Sequence, residues 1–458
     1  MNTESFPENF IWGSATASYQ IEGAAFDDGK GLSVWDMMCR WEGKIKNNDT
    51  GDVACDFYHK YKEDIALMKE LGMQAFRFSV SWPRVLPDGI GKINQKGLDF
   101  YDKVVDELLN KNIEPFITLF HWDYPYELYR KGDLLNDDSP EWFAEFTKVV
   151  VDKLSDRVKN WMTVNEPQCY VGLGHYVGMH APGVKLDKPE IMKMWHNMLL
   201  SHGRAVQSIR ANAKLPSNIG TAPCARYFYP ADENNENDIA AAKNKFFECD
   251  DLWGIAMWLD PICFGKYPSD ALEKYSEIIP KINAEDLKII STPIDFIGYN
   301  LYQGSPIKDD GNGNPIDVPF KPGKPITLFD WDITPRALRW TSNFLYERYK
   351  KPIYITENGM SNIDWVSLDG KVHDPQRIDF LNRYIRELKK AIDDGADVRG
   401  YFVWSFMDNF EWAEGYKHRF GLVHINYETL KRTVKDSAFW YKKVIETNGK
   451  FLFDALSD

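Results

Sequence analysis

Residues 352–357 read PIYITE, a nearly uninterrupted apolar run that ends on a carboxylate. Residues 115–120 (PFITLF) and 400–405 (GYFVWS) have the same character. A strand buried on both faces of a parallel sheet lacks the polar alternation of a half-exposed strand, so these runs predict buried parallel strands. Because a helical pattern follows each run, the stretch points to an α/β fold.

Eight such runs occur along the chain. They begin near Phe10, Gln74, Pro115, Asn160, Asn218, Asp295, Pro352 and Arg399. Apolar residues at helical spacing fill the intervals, as in the stripe from Ile378 to Ile392 and the stripe from Phe57 to Met68, which ends near Gly72. The pattern predicts one domain, residues 1–458, folded as a (β/α)8 TIM barrel with elaborated loops at the C-terminal face of the strands.

A doubly wound open sheet is the alternative fold. Such sheets bind dinucleotides through a glycine-rich loop, and the nearest glycine cluster here, Gly172-x-Gly174-x-x-x-Gly178, has the wrong spacing. Among the connections, we expect residues 232–238 to be a solvated loop or helix start and residues 309–325 to be a long loop. Ser139-Pro140 is expected to supply the N-cap and first residue of a helix.

The charge and the amino-acid composition disfavour some classes of function and favour others. The 458 residues include 55 basic and 68 acidic side chains, for a formal net charge of -13. This balance disfavours nucleic-acid binding, which needs a basic face. The 16 Trp, 23 Tyr and 27 Phe suit a site that grips flat, partly apolar ligands such as sugars. No stretch approaches about 18 apolar residues, so we predict no membrane span.

The N-terminal residues and the cysteines indicate the cellular compartment in which the protein is expected. The start, MNTESFPENFIWG, lacks a basic segment followed by an apolar run, so we predict no secretory signal. The six cysteines show no CxxC pair; they are Cys39, Cys55, Cys169, Cys224, Cys249 and Cys263. In a long chain without a signal, this scatter indicates free thiols and a cytoplasmic protein. Whether the protein is a monomer or a homo-oligomer stays open.

Two predicted strands end in carboxylates. Glu166 follows Asn165 at the end of the fourth run, and Glu357 closes the seventh. In a barrel, strand ends carry the chemistry, so both side chains are expected at its mouth. Hydrolysis of a glycosidic bond needs two carboxyl groups, one to protonate the leaving oxygen and one to attack the anomeric carbon or activate water. The structural alternative for either glutamate is a helix cap or a bond to a backbone amide.

Other strand ends carry residues that suit sugar binding. Arg77 lies inside a buried run and needs an anion, which is either a catalytic carboxylate or a structural aspartate. The remaining candidates are Gln20, His121, Trp404, Glu411 and Trp412. Each also has a structural reading, as a satisfied buried polar group or a core aromatic. No HExxH or G-x-S-x-G motif is present, which disfavours a zinc protease and a serine hydrolase.

These residues stand in blocks that resemble glycoside hydrolase family one, the β-glucosidase family, over essentially the whole chain. The blocks are FIWGSATASYQIEGA (10–24), FRFSVSWPRV (76–85), HWD (121–123), TVNEP (163–167), HAPG (180–183), ITENG (355–359) and FVWSFMDNFEWAEGYKHRFGLV (402–423). The resemblance implies a retaining β-glycosidase that acts on a small β-glycoside, with no metal and no organic cofactor. The family's fold is the same barrel.

The resemblance also implies roles at matching positions. Glu166 matches the acid/base and Glu357 the nucleophile. Arg77 and Tyr302 match positions beside the nucleophile, and Asn300 matches a position near the leaving group and the 2-hydroxyl. The positions around the nonreducing sugar are Gln20, His121, Asn165, Glu411 and Trp412. Trp404 matches the platform on which that sugar stacks. Trp331 matches the aglycone entrance, and Phe420 an aromatic near the sugar's 6-position. In this scheme Arg77 keeps the pKa of Glu357 low, while burial keeps that of Glu166 high.

Several positions depart from the family's common pattern. Gln168 follows NEP where many relatives have Trp, which removes a flat wall from the expected aglycone site. Tyr124, Tyr126, Glu127, Tyr299 and Leu301 also differ, and we interpret all of them as changes on the aglycone side or its supports.

Three alternatives remain within the same fold. A 6-phospho-β-glycosidase would replace Glu411-Trp412 by a phosphate-binding set, although Lys417 lies nearby. A non-catalytic sugar-binding barrel would lose one carboxylate. A plant-type thioglucosidase would lack the acid at Glu166. The preferred sugar, among glucosyl, galactosyl and fucosyl, is also open.

Overall fold

The computed structural model describes residues 5–454, and its main sheet has eight parallel strands. In chain order they are β1 (Ile11–Ala15), β2 (Ala75–Ser79), β3 (Glu114–Phe120), β4 (Asn160–Asn165), β5 (Asn218–Ala222), β6 (Ile297–Asn300), β7 (Ile353–Asn358) and β8 (Val398–Trp404). Neighbours in the sheet follow the order β5-β4-β3-β2-β1-β8-β7-β6. Every strand begins within about two residues of its predicted start, which confirms the sequence pattern for buried parallel strands.

Hydrogen bonds across the remaining seam bring the two edge strands together. The backbone N–H of Asp295, just before β6, donates to the carbonyl of Ile219 on β5 at 2.7 Å. In return, the N–H of Ile219 donates to the Asp295 carboxylate, also at 2.7 Å. A barrel with both edges joined in this way confirms the predicted TIM fold and excludes the open doubly wound sheet.

Helices lie between the strands. The α-helices are Ser18–Ile21, Val34–Met38, Phe57–Glu70, Trp82–Val85, Gln95–Asn110, Tyr126–Arg130, Ser139–Leu154, Lys188–Asn212, Glu236–Phe247, Ile255–Phe264, Ser269–Lys274, Ala284–Ile290, Arg336–Tyr349, Pro375–Asp393, Asp436–Glu446 and Phe451–Asp454. Lys46–Asn48, Asp133–Leu135 and Trp412–Glu414 are 3-10 helices, and Cys169–Val177 is a π-helix. Within residues 5–454, no helix combines the length and apolarity needed to cross a membrane.

Two local predictions need correction. Ser139 is the first helical residue rather than the N-cap, which is Asp138 with φ -82° and ψ -8°. Residues 309–325 are not an unstructured loop throughout, because Ser305–Asp309 pairs antiparallel with Pro315–Asp317. The Asp310 carboxylate accepts the N–H of Asn312 at 2.7 Å and so closes the turn between them. The hairpin strand Ser305–Asp309 also pairs with Phe228–Pro230, which builds a small sheet above the barrel.

Aromatic rings fill the barrel interior, and the strand positions that face these rings have room only for glycine. The Phe402 ring lies 4.9 Å from that of Phe116, centroid to centroid. A Cβ on Gly13 would come within 2.7 Å of Phe402, and one on Gly220 within 2.4 Å of Phe296. Interiors are close-packed, so a methyl group at either glycine would displace a ring. The packed interior leaves chemistry to the strand ends and their loops.

Candidate active site

The structure brings the predicted residues to one end of the barrel. Arg77 lies on β2, Asn165 and Asn300 end β4 and β6, Glu357 lies near the end of β7, and Trp404 ends β8. The loops after the strands carry Gln20, His121, Glu166, Gln168, Tyr302, Trp331, Glu411, Trp412 and Phe420. This gathering follows from the parallel barrel, because all strand C-termini meet at the same face.

A chain of hydrogen bonds links the two candidate catalytic carboxylates. Arg77 Nη1 donates to Glu357 Oε1 at 2.7 Å, and Arg77 Nη2 donates to Asn165 Oδ1 at 2.6 Å. Asn300 Nδ2 donates both to Asn165 Oδ1 at 2.9 Å and to Glu166 Oε1 at 2.8 Å. One guanidinium and two amides therefore hold the two carboxylates in a fixed relation to each other.

The amide of Asn300 has a defined orientation. Thr356 Oγ1 donates to Asn300 Oδ1 at 2.6 Å, which occupies the acceptor side of the amide. The Nδ2 side must then face Glu166 and Asn165, the two acceptors. Thr356 immediately precedes Glu357 on β7, so the strand that carries one carboxylate also orients the partner of the other.

Glu166 lies among groups that favour its protonated form. Burial raises the pKa of its carboxyl to about 7, and the negative charge of Glu357 adds to the rise. Its polar partners are neutral: Asn300 contacts Oε1, and the Cys169 thiol donates to Oε2 at 3.1 Å. With no cation directly bonded to it, this carboxyl can hold a proton near neutral pH.

Glu357 has charged and phenolic donors instead. Besides Arg77, Tyr302 donates its O–H to Glu357 Oε2 at 2.7 Å. Burial nevertheless raises the pKa of Glu357 above its ordinary value, against the opposing effects of Arg77 and Tyr302. Arg77 lowers the pKa of Glu357, as expected, but burial outweighs the ion pair, so the net shift is upward and the expected low pKa is not found. Glu357 differs from Glu166 in its hydrogen-bond donors, because Arg77 and Tyr302 bond Glu357 directly and favour its ionised form.

Gln20, His121 and Asn165 form a polar side of the site. Asn165 Oδ1 is taken by Arg77 and Asn300, so its Nδ2 donates to His121 Nε2 at 3.1 Å. Burial lowers the pKa of His121 well below its usual value, so the ring is neutral with its proton on Nδ1. That N–H and Gln20 Oε1 are buried without a partner among residues 5–454, and either can bond a hydroxyl group.

Glu411 and the two tryptophans close the site opposite the catalytic pair. The Trp404 and Trp412 rings each stack on His121, with centroids 5.8 and 5.9 Å away. Gln20 Nε2 lies 3.4 Å from Glu411 Oε2. Burial raises the pKa of Glu411 to about 8, and the charges of Glu357 and Glu166 contribute. Three carboxyl groups near enough to raise one another's pKa thus share one site with flat aromatic walls.

Three site residues have left-handed backbone conformations without being glycine. Their φ angles are 75° for Trp122, 38° for Glu166 and 50° for Trp412. Such conformations cost of order 1–3 kcal/mol each and persist where the surroundings enforce them. Here the N–H of Glu166 donates to the carbonyl of Ala222 at 2.8 Å, which anchors the strained residue to β5.

An aromatic cluster lies beside Tyr302. Trp331 packs 5.0 Å from the Tyr302 ring and 6.2 Å from Phe420, centroid to centroid. Phe329, which the sequence analysis did not single out, stacks on Trp331 at 4.4 Å. Trp331 is partly exposed whereas Phe420 is buried. The cluster gives the site an apolar rim next to the residue that bonds Glu357.

Residues 2–450 match the family model described as Glycosyl hydrolase family 1. The chain belongs to glycosyl hydrolase family 1. It is 46% identical to beta-glucosidase A of Thermotoga maritima over 451 residues, covering 98% of this chain and 99% of that protein. It is also 46% identical to the 1,4-beta-D-glucan glucohydrolase of Thermotoga neapolitana over 448 residues, covering 97% and 99%.

A solved structure with a bound ligand is similar as well. The beta-glucosidase from Thermotoga maritima in complex with glucoimidazole superposes with a TM-score of 0.89 at 45% identity. The match covers 98% of this chain and all of that one. Fold and family membership are thus supported by sequence and structure alike.

Most of the departures from the common family 1 pattern do not lie on an aglycone wall. Tyr299 O–H contacts Ser342 Oγ at 2.7 Å, on the helix outside the barrel. Tyr124 and Leu301 are buried in the core, and Glu127 pairs with Arg130 on an exposed helix turn. The interpretation of these positions as supports of the aglycone side therefore stays a prediction. Side chains alternate between the two faces of a strand, which sends Tyr299 outward.

Gln168 is the departure that does lie near the acid/base candidate. Its side chain is fully buried, and its Oε1 accepts the backbone N–H of Cys224 at 3.3 Å. Gln168 thus ties the segment after Glu166 to the end of β5. It is a buried connection rather than an exposed surface for a leaving group.

Sequence reasoning missed Cys169 and Cys224. Cys169 contacts Glu166, and its Sγ lies 3.9 Å from that of Cys224. The three side chains form a buried group with the geometry of a possible metal site. The spacing of three residues between Glu166 and Cys169 was a usable signal, because the chain turns there and the N–H of Cys169 bonds the carbonyl of Glu166. All six cysteines are free thiols, as predicted.

Proposed function

We propose that this protein is a retaining exo-β-glucosidase, which hydrolyses terminal nonreducing β-D-glucosyl residues from oligosaccharides or aryl and alkyl glycosides. The observation that carries the proposal is the paired arrangement of Glu166 and Glu357. One chain of hydrogen bonds joins them, yet neutral groups donate to Glu166 while a guanidinium and a phenol donate to Glu357. Two carboxyl groups with opposed protonation are what double displacement requires.

In the first step Glu357 is the nucleophile. Its carboxylate attacks the anomeric carbon while protonated Glu166 donates to the glycosidic oxygen, and the aglycone leaves. Arg77 and Tyr302 aim the carboxylate and favour its ionised form. As the negative charge of Glu357 is consumed in the covalent bond, the repulsion that holds the proton on Glu166 disappears, which eases release of that proton.

In the second step the same Glu166, now ionised, activates water. The water attacks the glycosyl-enzyme, Glu357 is released, and the sugar leaves with its β configuration retained. Retention requires carboxyl groups about 5–5.5 Å apart. Asn300 keeps Glu166 in place through both steps, since an amide N–H can donate to the carboxyl in either protonation state.

We assign the nonreducing sugar to the polar and aromatic residues opposite the catalytic pair. Gln20, His121, Asn165 and Glu411 supply hydrogen-bonding groups for hydroxyls, while the Trp404 and Trp412 indoles cover the C–H faces of the ring. We assign Phe420 to the neighbourhood of the sugar's 6-position and Trp331, which packs 6.2 Å from it, to the entrance where the aglycone leaves. Glucosyl is the primary substrate group in this proposal, with galactosyl and fucosyl as tolerated variants.

A 6-phospho-β-glycosidase is disfavoured by the charges near this sugar position. Glu411 is partly buried there, with Glu357 and Glu166 near enough for their charges to raise its pKa, and a phosphate dianion would meet the negative charge of ionised carboxylates rather than a cation. Lys417, the nearby cation, is exposed and lies 3.9 Å from Glu414. It supplies no buried positive charge for a phosphate.

The direct test is a proton NMR time course with an aryl β-D-glucoside, which identifies the first anomer released. Early β-glucose supports double displacement. Early α-glucose would overturn the roles of Glu166 and Glu357. Absence of hydrolysis, with turnover of the 6-phosphorylated glucoside instead, would replace this proposal by the phosphorylated-substrate alternative.

We further propose that residues 1–458 form a single catalytic domain that works in the cytoplasm. Contacts between distant parts of the chain support one folding unit: the Trp12 indole donates to Asn448 Oδ1 at 3.0 Å, and Asn448 Nδ2 donates to the Phe6 carbonyl at 2.8 Å. Free thiols suit a reducing compartment. A single calorimetric transition tests the domain, and cell fractionation tests the compartment.

A further inference from the structure

The thiols of Cys169 and Cys224 lie close to the carboxyl group of Glu166, the acid/base candidate. Cys169 Sγ lies 3.1 Å from Glu166 Oε2 and 3.9 Å from Cys224 Sγ. All three ligand atoms lie within 4.8 Å of one another. The contact between the two sulfurs has no part in the hydrolytic mechanism above, and no disulfide joins them.

The spacing of these atoms matches a tetrahedral thiolate metal site. A tetrahedral zinc ion binds thiolate sulfur at about 2.3 Å, which sets two sulfur ligands about 3.8 Å apart. The distance between the two sulfurs here is 3.9 Å. Carboxylate oxygen is also an accepted zinc ligand, and three protein ligands leave a fourth position for water.

Rigid elements hold the ligands in place. The N–H of Cys169 donates to the carbonyl of Glu166 at 2.9 Å, which fixes the first turn of the helix. Cys224 follows β5, and its N–H is bonded to Gln168 Oε1. Asn300 occupies Glu166 Oε1, so Oε2 faces the thiols. Preorganised ligands lower the cost of ordering a metal site.

We propose that Cys169, Cys224 and Glu166 form a binding site for a soft divalent cation of the zinc class, and that the bound cation inhibits hydrolysis. Both thiols and the protonated Glu166 carboxyl lose their protons to solvent when the ion binds, and the ion takes the place of the thiol proton now shared with Glu166. The two thiols are 7% and 9% exposed, at the barrel end that holds the other site residues. The inhibition rests on the proposed function, because it acts by occupying the acid/base carboxyl.

The first measurement is direct binding of Cd²⁺ to the purified protein, followed by the ultraviolet charge-transfer absorption of cadmium thiolates. We expect one equivalent to bind. Cys169→Ser and Cys224→Ser should each weaken binding by about tenfold or more, and the double variant should lose the absorption. Cys263→Ser is the matched control, since this half-buried thiol lies outside the group, and it should bind like the wild type.

The second measurement is the inhibition constant for Zn²⁺ in hydrolysis of an aryl glucoside, expressed relative to the metal-free rate of each variant. It should rise by about tenfold or more in Cys224→Ser, and a chelator should restore the wild-type rate. If the Cys169→Ser variant does not fold, both the cadmium binding and the zinc inhibition are measured on Cys224→Ser alone. Absorption or inhibition that persists in the double variant would overturn the site.

The two proposals fail in distinguishable ways. If the wild-type protein gives no cadmium thiolate absorption, the metal site is wrong while the hydrolytic proposal stands on its NMR test. If the ion binds both thiols yet turnover is undiminished, the inhibition and the place of Glu166 among the ligands are overturned, while the hydrolytic proposal still depends on its NMR test.

Discussion

Arg77 and Glu357 form an ion pair at the centre of the barrel mouth, with 2.7 Å between Nη1 and Oε1 and the guanidinium wholly buried. The same guanidinium also bonds Asn165 and, through Nε, Thr118 at 3.1 Å. A lysine can supply the charge but not this planar fork. We therefore expect Arg77→Lys to lower kcat for an aryl β-glucoside by about a hundredfold.

Arg432 provides the matched control for that substitution. It pairs with Asp64 through Nε and Nη2, both at 2.8 Å, but touches none of the site residues described above. Arg432→Lys should reduce thermal stability while leaving kcat near the wild-type value. If Arg77→Lys retained kcat within about twofold, the role of Arg77 in aiming the nucleophile would be wrong.

Tyr302 and Tyr299 allow a paired test three residues apart in sequence. Tyr302→Phe removes the donor to Glu357 Oε2, so kcat should fall by about tenfold to a hundredfold. Tyr299→Phe removes a bond to Ser342 outside the barrel and should cost only about 1 kcal/mol of unfolding free energy. Steady-state kinetics and denaturant unfolding of both variants separate the effects. Equal losses of kcat would contradict the assignment of Tyr302.

The pH dependence of kcat/KM should reflect the acid role of Glu166. Its carboxyl has a raised pKa of about 7 and must be protonated to donate to the leaving oxygen. Activity should therefore decline as the pH rises above about 7. Glu166→Gln, assayed with an aryl glucoside whose leaving group needs no protonation, should lose this alkaline limb. A limb that persists in the variant would mean that another group controls it.

Glu411 is expected to act through sugar hydroxyls. Glu411→Ala should lower kcat/KM for a glucoside by about tenfold, because a hydrogen bond typically contributes about 0.5–1.5 kcal/mol. The loss should shrink when the substrate lacks the hydroxyl that Glu411 binds. Comparison of the 4-deoxy and 6-deoxy glucosides in both proteins identifies that hydroxyl. An undiminished loss with both would indicate a structural role.

Lys435 should be a stability determinant away from the chemistry. Its ammonium bonds Asp364 at 2.5 Å and Asp408 at 2.7 Å, and all three side chains are buried. Lys435→Ala leaves two buried carboxylates without this cation, which should cost about 3–5 kcal/mol of unfolding free energy. Urea unfolding measures the change, with exposed Lys288→Ala as control. A loss below about 1 kcal/mol would contradict the prediction.

The sequence was sufficient to predict the barrel strands and the position of the site. Uninterrupted runs such as 115–120 mark strands buried on both faces, and a parallel barrel places every strand end at one rim. The hairpin after Ser305 was missed because its polar sequence carries little strand signal. The direction of the Glu357 pKa was also missed, since it depends on how burial balances Arg77 in three dimensions. Cys224 approaches Cys169 because β4 and β5 pair side by side in the barrel, a neighbourhood that the spacing of the two cysteines in the sequence does not reveal.

The contact between Phe6, Trp12 and Asn448 has a consequence for how the gene could be arranged. The two ends of the described chain lie side by side, and β1 already pairs with β8, the last barrel strand. A short peptide could join these ends, and a new start could be cut in the exposed hairpin turn at 310–314. This circular permutation would leave every strand pairing of the barrel intact. The same barrel could therefore form from a chain whose strands are synthesised in a different order.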